Sequence, residues 1–283
     1  MVIDFHTHIF PDAIAPKALA RLVDNLHTYA HLYGKTVPHT DATLKGLHTS
    51  GQANGIDCQV VMPIATSSKP SATLNDFAAQ VDRTPGFRSF GSIHPANPEW
   101  PAELERIAAL GLKGIKLHPE YQQFFVDDPA AIQVVKAASA YGLWVLFHAG
   151  ADVGLPPPFH CTPDRVIRLR QAVPEARIIL AHMGGYLLWE EVLRALPEMD
   201  VLLDTSFCLP NHPERWDLFA SLIRENGTDR ILFGTDSPWE DQGIARQRTA
   251  DFFARYAFTP EEQAAILGQN ACRILGIETA TAV

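Results

Sequence analysis

The strongest constraint on this chain is a rhythm. Short runs rich in Val, Ile, Leu and Phe recur at residues 2–6 (VIDFH), 58–64 (CQVVMPI), 87–93 (FRSFGSI), 113–118 (KGIKLH), 143–148 (LWVLFH), 177–182 (RIILAH), 201–206 (VLLDTS) and 230–236 (RILFGTD). Most are continuous rather than alternating, which suits strands buried on both faces of a parallel sheet. From the second run onward they begin 24–34 residues apart, the length of one strand–helix unit. Helical patterns fill the intervals, for example PAAIQVVKAASAYG and TPDRVIRLRQAVP, and several end in a glycine suited to a helix C-terminus. Thr259-Pro260-Glu261-Glu262 reads as a cap opening a closing helix. Eight β/α units without a linker predict one domain over residues 1–283, a single (β/α)8 TIM barrel. An open doubly wound sheet is the competing fold, but no Gly-x-Gly-x-x-Gly turn follows the first run. Residues 24–40, after strand 1, read as a short insertion, which a barrel would place over its active face.

Composition narrows the function classes. A formal charge of −9 and the lack of any basic run argue against nucleic acid as a partner. No apolar stretch approaches the ~18 residues of a membrane span. The four cysteines are scattered with no Cys-x-x-Cys pair, and no basic-then-apolar leader opens the chain. Together these predict reduced thiols and a cytoplasmic location.

Ligand-type residues then fall at equivalent places. His6 and His8 close run one, two apart and therefore on one face. His148 closes run five, His182 run six and Asp236 run eight, each just before a turn. A lone histidine there usually caps a carbonyl or fills the core, and Asp236 alone could be a turn former. Five such residues at four strand ends have one economical explanation, because a barrel gathers those ends at one mouth. Three imidazoles and a carboxylate suit Zn²⁺ or a related divalent ion.

The order DFHTH, FHAG, AHMGG, FGTDSPW resembles the amidohydrolase superfamily, closest to its amidohydrolase-related branch with the aminocarboxymuconate-semialdehyde decarboxylases. The resemblance runs from His6 to NACRILG. It implies one divalent metal, Zn²⁺ by default, held by His6, His8, His148 and Asp236, with His182 as catalytic acid or base. Asp236 is also expected to orient the attacking water. A homodimer is compatible with the resemblance. In Gly-Ile-Lys-Leu-His-Pro, Lys116 and His118 share a face. Lys116 could bind a substrate carboxylate beside His118, form a structural ion pair, or, by the same resemblance, bridge a second metal when carboxylated; substrate binding with a single metal is the expectation.

Other residues carry weaker signals. Trp239 and Pro238 are expected to wall a pocket, and Tyr121 and Phe124 to do so or to pack. His27 and His31 are i,i+4 but lack a third ligand. Cys208 has no base partner, His160 sits in a proline-stiffened loop without an evident role, and Glu120, Asp204, Ser206 and Asp241 lie near strand ends. The activity expected is hydrolysis of an amide, lactone or ester in a small substrate by metal-activated water. Non-oxidative decarboxylation or hydration of a small carboxylic acid is the alternative.

Overall fold

The computed structural model describes residues 1–69 and 71–278. Eight parallel strands follow in chain order: β1 (Ile3–Thr7), β2 (Cys58–Val61), β3 (Phe87–Ser89), β4 (Gly114–Leu117), β5 (Trp144–Phe147), β6 (Arg177–Leu180), β7 (Leu202–Asp204) and β8 (Ile231–Leu232). Each coincides with one of the eight apolar runs. Regular pairing gives two sheets, β1–β3 and β4–β8, and backbone hydrogen bonds stitch both seams. Gly91 N donates to Gly114 O (2.9 Å) and Lys116 N to Gly91 O (2.8 Å). At the other seam, Phe5 N donates to Phe233 O (2.8 Å) and His8 N to Ser237 O (2.7 Å). The result is a (β/α)8 barrel.

The helices are α1 (Ala15–Tyr33), α2 (Leu44–Ala53), α3 (Ala72–Asp82), α4 (Trp100–Ala109), α5 (Pro119–Gln122), α6 (Pro129–Ala140), α7 (Pro163–Ala172), α8 (Trp189–Met199), α9 (Trp216–Asn226), α10 (Gln242–Arg255), α11 (Pro260–Ala264) and α12 (Asn270–Leu275). Thr259 caps α11 in a reciprocal box with Glu262. A π-turn, Ala265–Gln269, joins α11 to α12, so the closing helix is interrupted rather than continuous. Gly268 sits in that turn because a Cβ would lie 2.4 Å from Met1 O.

Alternation along the strands divides the core in two. Leu146, Ile179 and Leu232 join Ile3, Phe5, Val60 and Phe90 inside the barrel, floored by Ala271 and Leu275 of α12. Their neighbours Val145, Phe147, Ile178, Leu180 and Phe233 pack outward with the helices. Each such fully buried side chain contributes about 1.5–3 kcal/mol. β1 breaks the alternation. Ile3 and Phe5 face inward and Asp4 faces Gln242 of α10, then the register slips between Asp4 and Thr7. Such an irregularity re-aims side chains, and here His6 also points inward.

The insertion after strand 1 needs correcting in its bounds and form. It starts at Ala15 rather than residue 24, and most of it is the 19-residue helix α1, which ends at Gly34 (φ 86°). It does lie over the mouth of the barrel, where it lines the main cavity.

Candidate metal centre and substrate cavity

Three of the expected ligands meet. His6 Nε2 and His8 Nε2 are 3.2 Å apart, and Asp236 Oδ1 lies 3.5 Å from the first and 3.2 Å from the second. The hydrogen bonds at Nδ1 identify the free nitrogens. His6 Nδ1 donates to Asp204 Oδ2 (2.8 Å) and His8 Nδ1 to Met62 O (2.7 Å), leaving both Nε2 atoms bare and facing each other. Two converging lone pairs beside a carboxylate form a donor set that fits a divalent metal, with the Lys116 ammonium offsetting part of their repulsion from one side. Burial, reinforced by the Lys116 ammonium, holds the His6 pKa well below its usual value, which keeps the imidazole in the neutral form a metal requires. For Asp236, burial pushes the pKa up, but the polar imidazoles of His8, His6 and His182 around it outweigh burial, leaving a carboxylate below the usual range.

His148 lies outside that group of three. Its Nε2 donates to Ala151 O (3.1 Å), so the bare Nδ1 faces His182 Nε2 at 3.0 Å. His182 in turn donates from Nδ1 to Ser206 O (3.1 Å), which makes its Nε2 bare as well. The inward-facing lone pairs therefore continue along a row of rings, His6 to His182 (centroids 5.4 Å) and His182 to His148 (4.6 Å). His118 stacks on His148 (4.1 Å, 14°) but is wired differently. Its Nδ1 accepts Tyr121 N (3.3 Å) as the cap of α5, and Nε2 reaches Asp152 Oδ2 (3.3 Å). His118, His148 and Asp152 form a second cluster with metal-ligand chemistry. In it, however, both rings carry their hydrogen on Nε2, because His118 Nδ1 accepts from Tyr121 N and His148 Nε2 donates to Ala151 O, so it presents no converging lone pairs.

Lys116 is fully buried, with Nζ 3.2 Å from His6 Nε2. It does not line the cavity, and among the described residues it has no carboxylate within 4.0 Å. Burial lowers its pKa to about 8, against the opposing pull of Asp204 and Asp236. The ammonium thus stands beside the cage rather than on the substrate wall.

Turns in the left-handed region present several of these groups: His182 (φ 58°), Phe207 (φ 59°) and Asp236 (φ 74°). Each conformation costs about 1–3 kcal/mol in a non-glycine residue and persists only where the surroundings enforce it. Here the surroundings include Asp236 N donating to His6 O (2.8 Å) and His182 N donating to Asp204 Oδ1 (3.0 Å).

Above the cage opens a cavity of about 780 Å³. His8, His118, His148, His182 and Asp236 line its floor, and its walls include Phe10, Leu22, Leu26, Ile64, Phe77 and Trp239. Pro238 and Tyr121 line it too, whereas Phe124 packs into the outer core. His160 pairs with Glu120, whose pKa burial raises. Asp241 caps α10. Cys208 is buried and its thiol is pushed well up by burial, which suits packing rather than nucleophilic attack. His31 lies on an exposed turn of α1.

Four residues near the site had no role, or no mention, in the sequence reading: Asp204, Asp152, Tyr186 and His212. Asp204 and Asp152 carried a readable signal, an acid at a strand end and an acid four residues past His148. Tyr186 and His212 meet only through the packing of two loops.

No helix is long and apolar enough to cross a membrane among the described residues. No curated protein matches the chain. Solved structures share the fold at low identity. A 5-carboxyvanillate decarboxylase from Sphingomonas paucimobilis is 19% identical, with 98% of this chain and 99% of that one aligned at a TM-score of 0.71. A dihydroxybenzoic acid decarboxylase from Polaromonas, with bound manganese and 2-nitroresorcinol, is 18% identical over 99% and 98% of the chains (TM-score 0.68). A probable 2-pyrone-4,6-dicarboxylic acid hydrolase from Acinetobacter baumannii is 16% identical over 97% and 99% (TM-score 0.65). The amidohydrolase family model matches residues 3–277, and the chain belongs to that family.

Proposed function

We propose that the protein is a metal-dependent carboxy-lyase that removes CO₂, without oxidation, from a small flat unsaturated or aromatic carboxylic acid. The observation that carries this reading is the union of one neutral-imidazole and carboxylate cage with a largely apolar cavity. Hydrolysis needs ready water at the cage, whereas loss of CO₂ from a carboxylate gains from leaving water. The decarboxylases of the same fold support it. Hydrolysis, the first expectation from sequence, becomes the second reading, kept by the pyrone hydrolase of the same fold.

His6, His8 and Asp236 would hold the ion, with His148 as fourth ligand through its bare Nδ1. Both Zn²⁺ and the Mn²⁺ found in a structural neighbour suit this mixture of nitrogen and oxygen donors. When bound, the ion supplies positive charge against which negative charge on the substrate oxygens can build. The remaining work falls to the chain. Asp204 fixes the His6 tautomer, and Ser206 O fixes that of His182. His182 Nε2 then faces the floor of the cavity, where it can hold or pass a proton. Trp239 and Phe77 offer flat walls, His118 a polar edge, and Lys116 a buried positive charge beside the cage. The reaction breaks the C–CO₂⁻ bond, leaves its electron pair on carbon, and consumes one proton to form C–H.

The test is CO₂ release by metal-loaded protein from 5-carboxyvanillate and a panel of dihydroxybenzoates, beside lactone hydrolysis. CO₂ release abolished by chelation and restored by Zn²⁺ or Mn²⁺ is the expected outcome. His182→Ala should keep its metal and lose about 100-fold or more in kcat. Lactone opening without any CO₂ would replace this reading with the hydrolase one.

A further inference from the structure

Tyr186 lines the same cavity as His182 and takes no part in the cage. Its backbone is pinned: Tyr186 N donates to Ala149 O (2.9 Å) and Ala151 N to Tyr186 O (3.0 Å). The approach is so close that a Cβ on Gly150 would lie 2.3 Å from Tyr186 N. The ring packs against Trp189 and Phe207, and its hydroxyl is 2.9 Å from His212 Nε2. His212 Nδ1 is 3.0 Å from Glu214 Oε1. A carboxylate can only accept, so Nδ1 carries the hydrogen, Nε2 is bare, and the phenol donates to it. Exposure rises along the row, from 5% at Tyr186 to 19% and 61% for the side chains of His212 and Glu214. The row therefore leads from the cavity to solvent.

We propose that Glu214, His212 and Tyr186 form a proton-supply line that feeds the cavity from solvent. The inference rests on the decarboxylase reading, because that reaction consumes a proton per turnover at the floor of a largely apolar cavity. The phenol first turns its hydrogen to the cavity, and the freed Nε2 takes a proton from water at the part-exposed His212 side chain. The Glu214 carboxylate stabilises the resulting imidazolium, and Nε2–H donates to the Tyr186 oxygen. Tyr186 releases that hydrogen inward and takes the one on Nε2. One proton has entered, and all three side chains regain their starting states. Burial raises the phenol's pKa, with Cys208, Glu214, Asp236 and Tyr33 as the titratable groups around it. Phenolate does not accumulate, so each proton leaves only as another arrives. A purely structural tie between the two loops would use the same bonds, and the experiment must separate the two.

Tyr186→Phe keeps the ring and removes the hydroxyl; His212→Gly opens a space that added imidazole can enter. With metal-loaded full-length protein and whichever acid of the panel releases most CO₂, each variant should lose about 100-fold in kcat. KM should stay within about twofold, as for a step made only in the transition state. Imidazole should restore His212→Gly but not Tyr186→Phe, and the solvent deuterium isotope effect on kcat should grow in both. Unchanged kcat and isotope effect in Tyr186→Phe would overturn the proposal. So would rate loss that imidazole fails to rescue and that tracks a lowered melting temperature. Wild-type protein that releases no CO₂ removes the decarboxylase reading instead. The row is then judged by ¹⁵N-histidine NMR: hydrogen on Nδ1 of His212 supports it, and hydrogen on Nε2 overturns it.

Discussion

At Asp204, one carboxylate oxygen receives His6 Nδ1 and the other receives the backbone N–H groups of His182 and Ser206, 3.0 Å from each. A single buried acid thereby sets the tautomer of one histidine and the position of another. Asp204→Asn places an amide NH₂ against at least one of these donors and frees His6 to put its hydrogen on Nε2, facing the cage. Affinity for the ion should fall about 10–100-fold, measured by competition with a chromogenic chelator. Undiminished affinity would show that Asp204 does not control His6. His6, His8, His148, His182 and Asp236 were legible because strand ends converge in any barrel. Lys116 was legible as sharing a face with His118, yet not its depth, which sets it against His6 instead of on the cavity wall. The Tyr186–His212 contact spans 26 residues across two loops, with no periodicity to announce it.

At the scale of elements, all eight strands and the Thr259 cap could be read in advance, since continuous apolar runs and capping chemistry are local signals. α1 could not be bounded in this way. Exposed apolar residues at its two ends, Ile14 just before it and Leu32 in its last turn, blur the amphipathic pattern, and its inner face meets a cavity rather than a packed partner. Elsewhere, Asp127 ties the segment before α6 to α7, accepting Arg165 Nη1 and Arg168 Nε at 2.6 Å each. Burial pushes its pKa up, but the hydrogen bonds from the two guanidiniums prevail and lower it. A depressed carboxylate contributes stability above its unfolded pKa of about 4 and loses it as pH falls through the lower folded value. Asp127→Asn should therefore cost about 1.5–3 kcal/mol at pH 7 in urea unfolding, with the deficit shrinking below pH 4. A deficit independent of pH would assign the loss to packing instead.

For the molecule as a whole, the barrel interior is both frame and floor. Leu146, fully buried among Ile179, Leu232 and Phe90, belongs to the layer on which the cage rests. Leu146→Ala should destabilise the fold by about 2–5 kcal/mol. In chemical denaturation this should appear as a shift of the midpoint without a change of slope. A negligible shift would mean that this layer is not the tightly packed one described.

The central claim is that His6, His8 and Asp236 surround one divalent cation. Anomalous diffraction from crystals grown with Mn²⁺ tests it most directly. A single strong peak is expected between His6 Nε2, His8 Nε2 and Asp236 Oδ1, within reach of His148. A peak confined to His118, His148 and Asp152, or no peak in crystals of fully active protein, would contradict it.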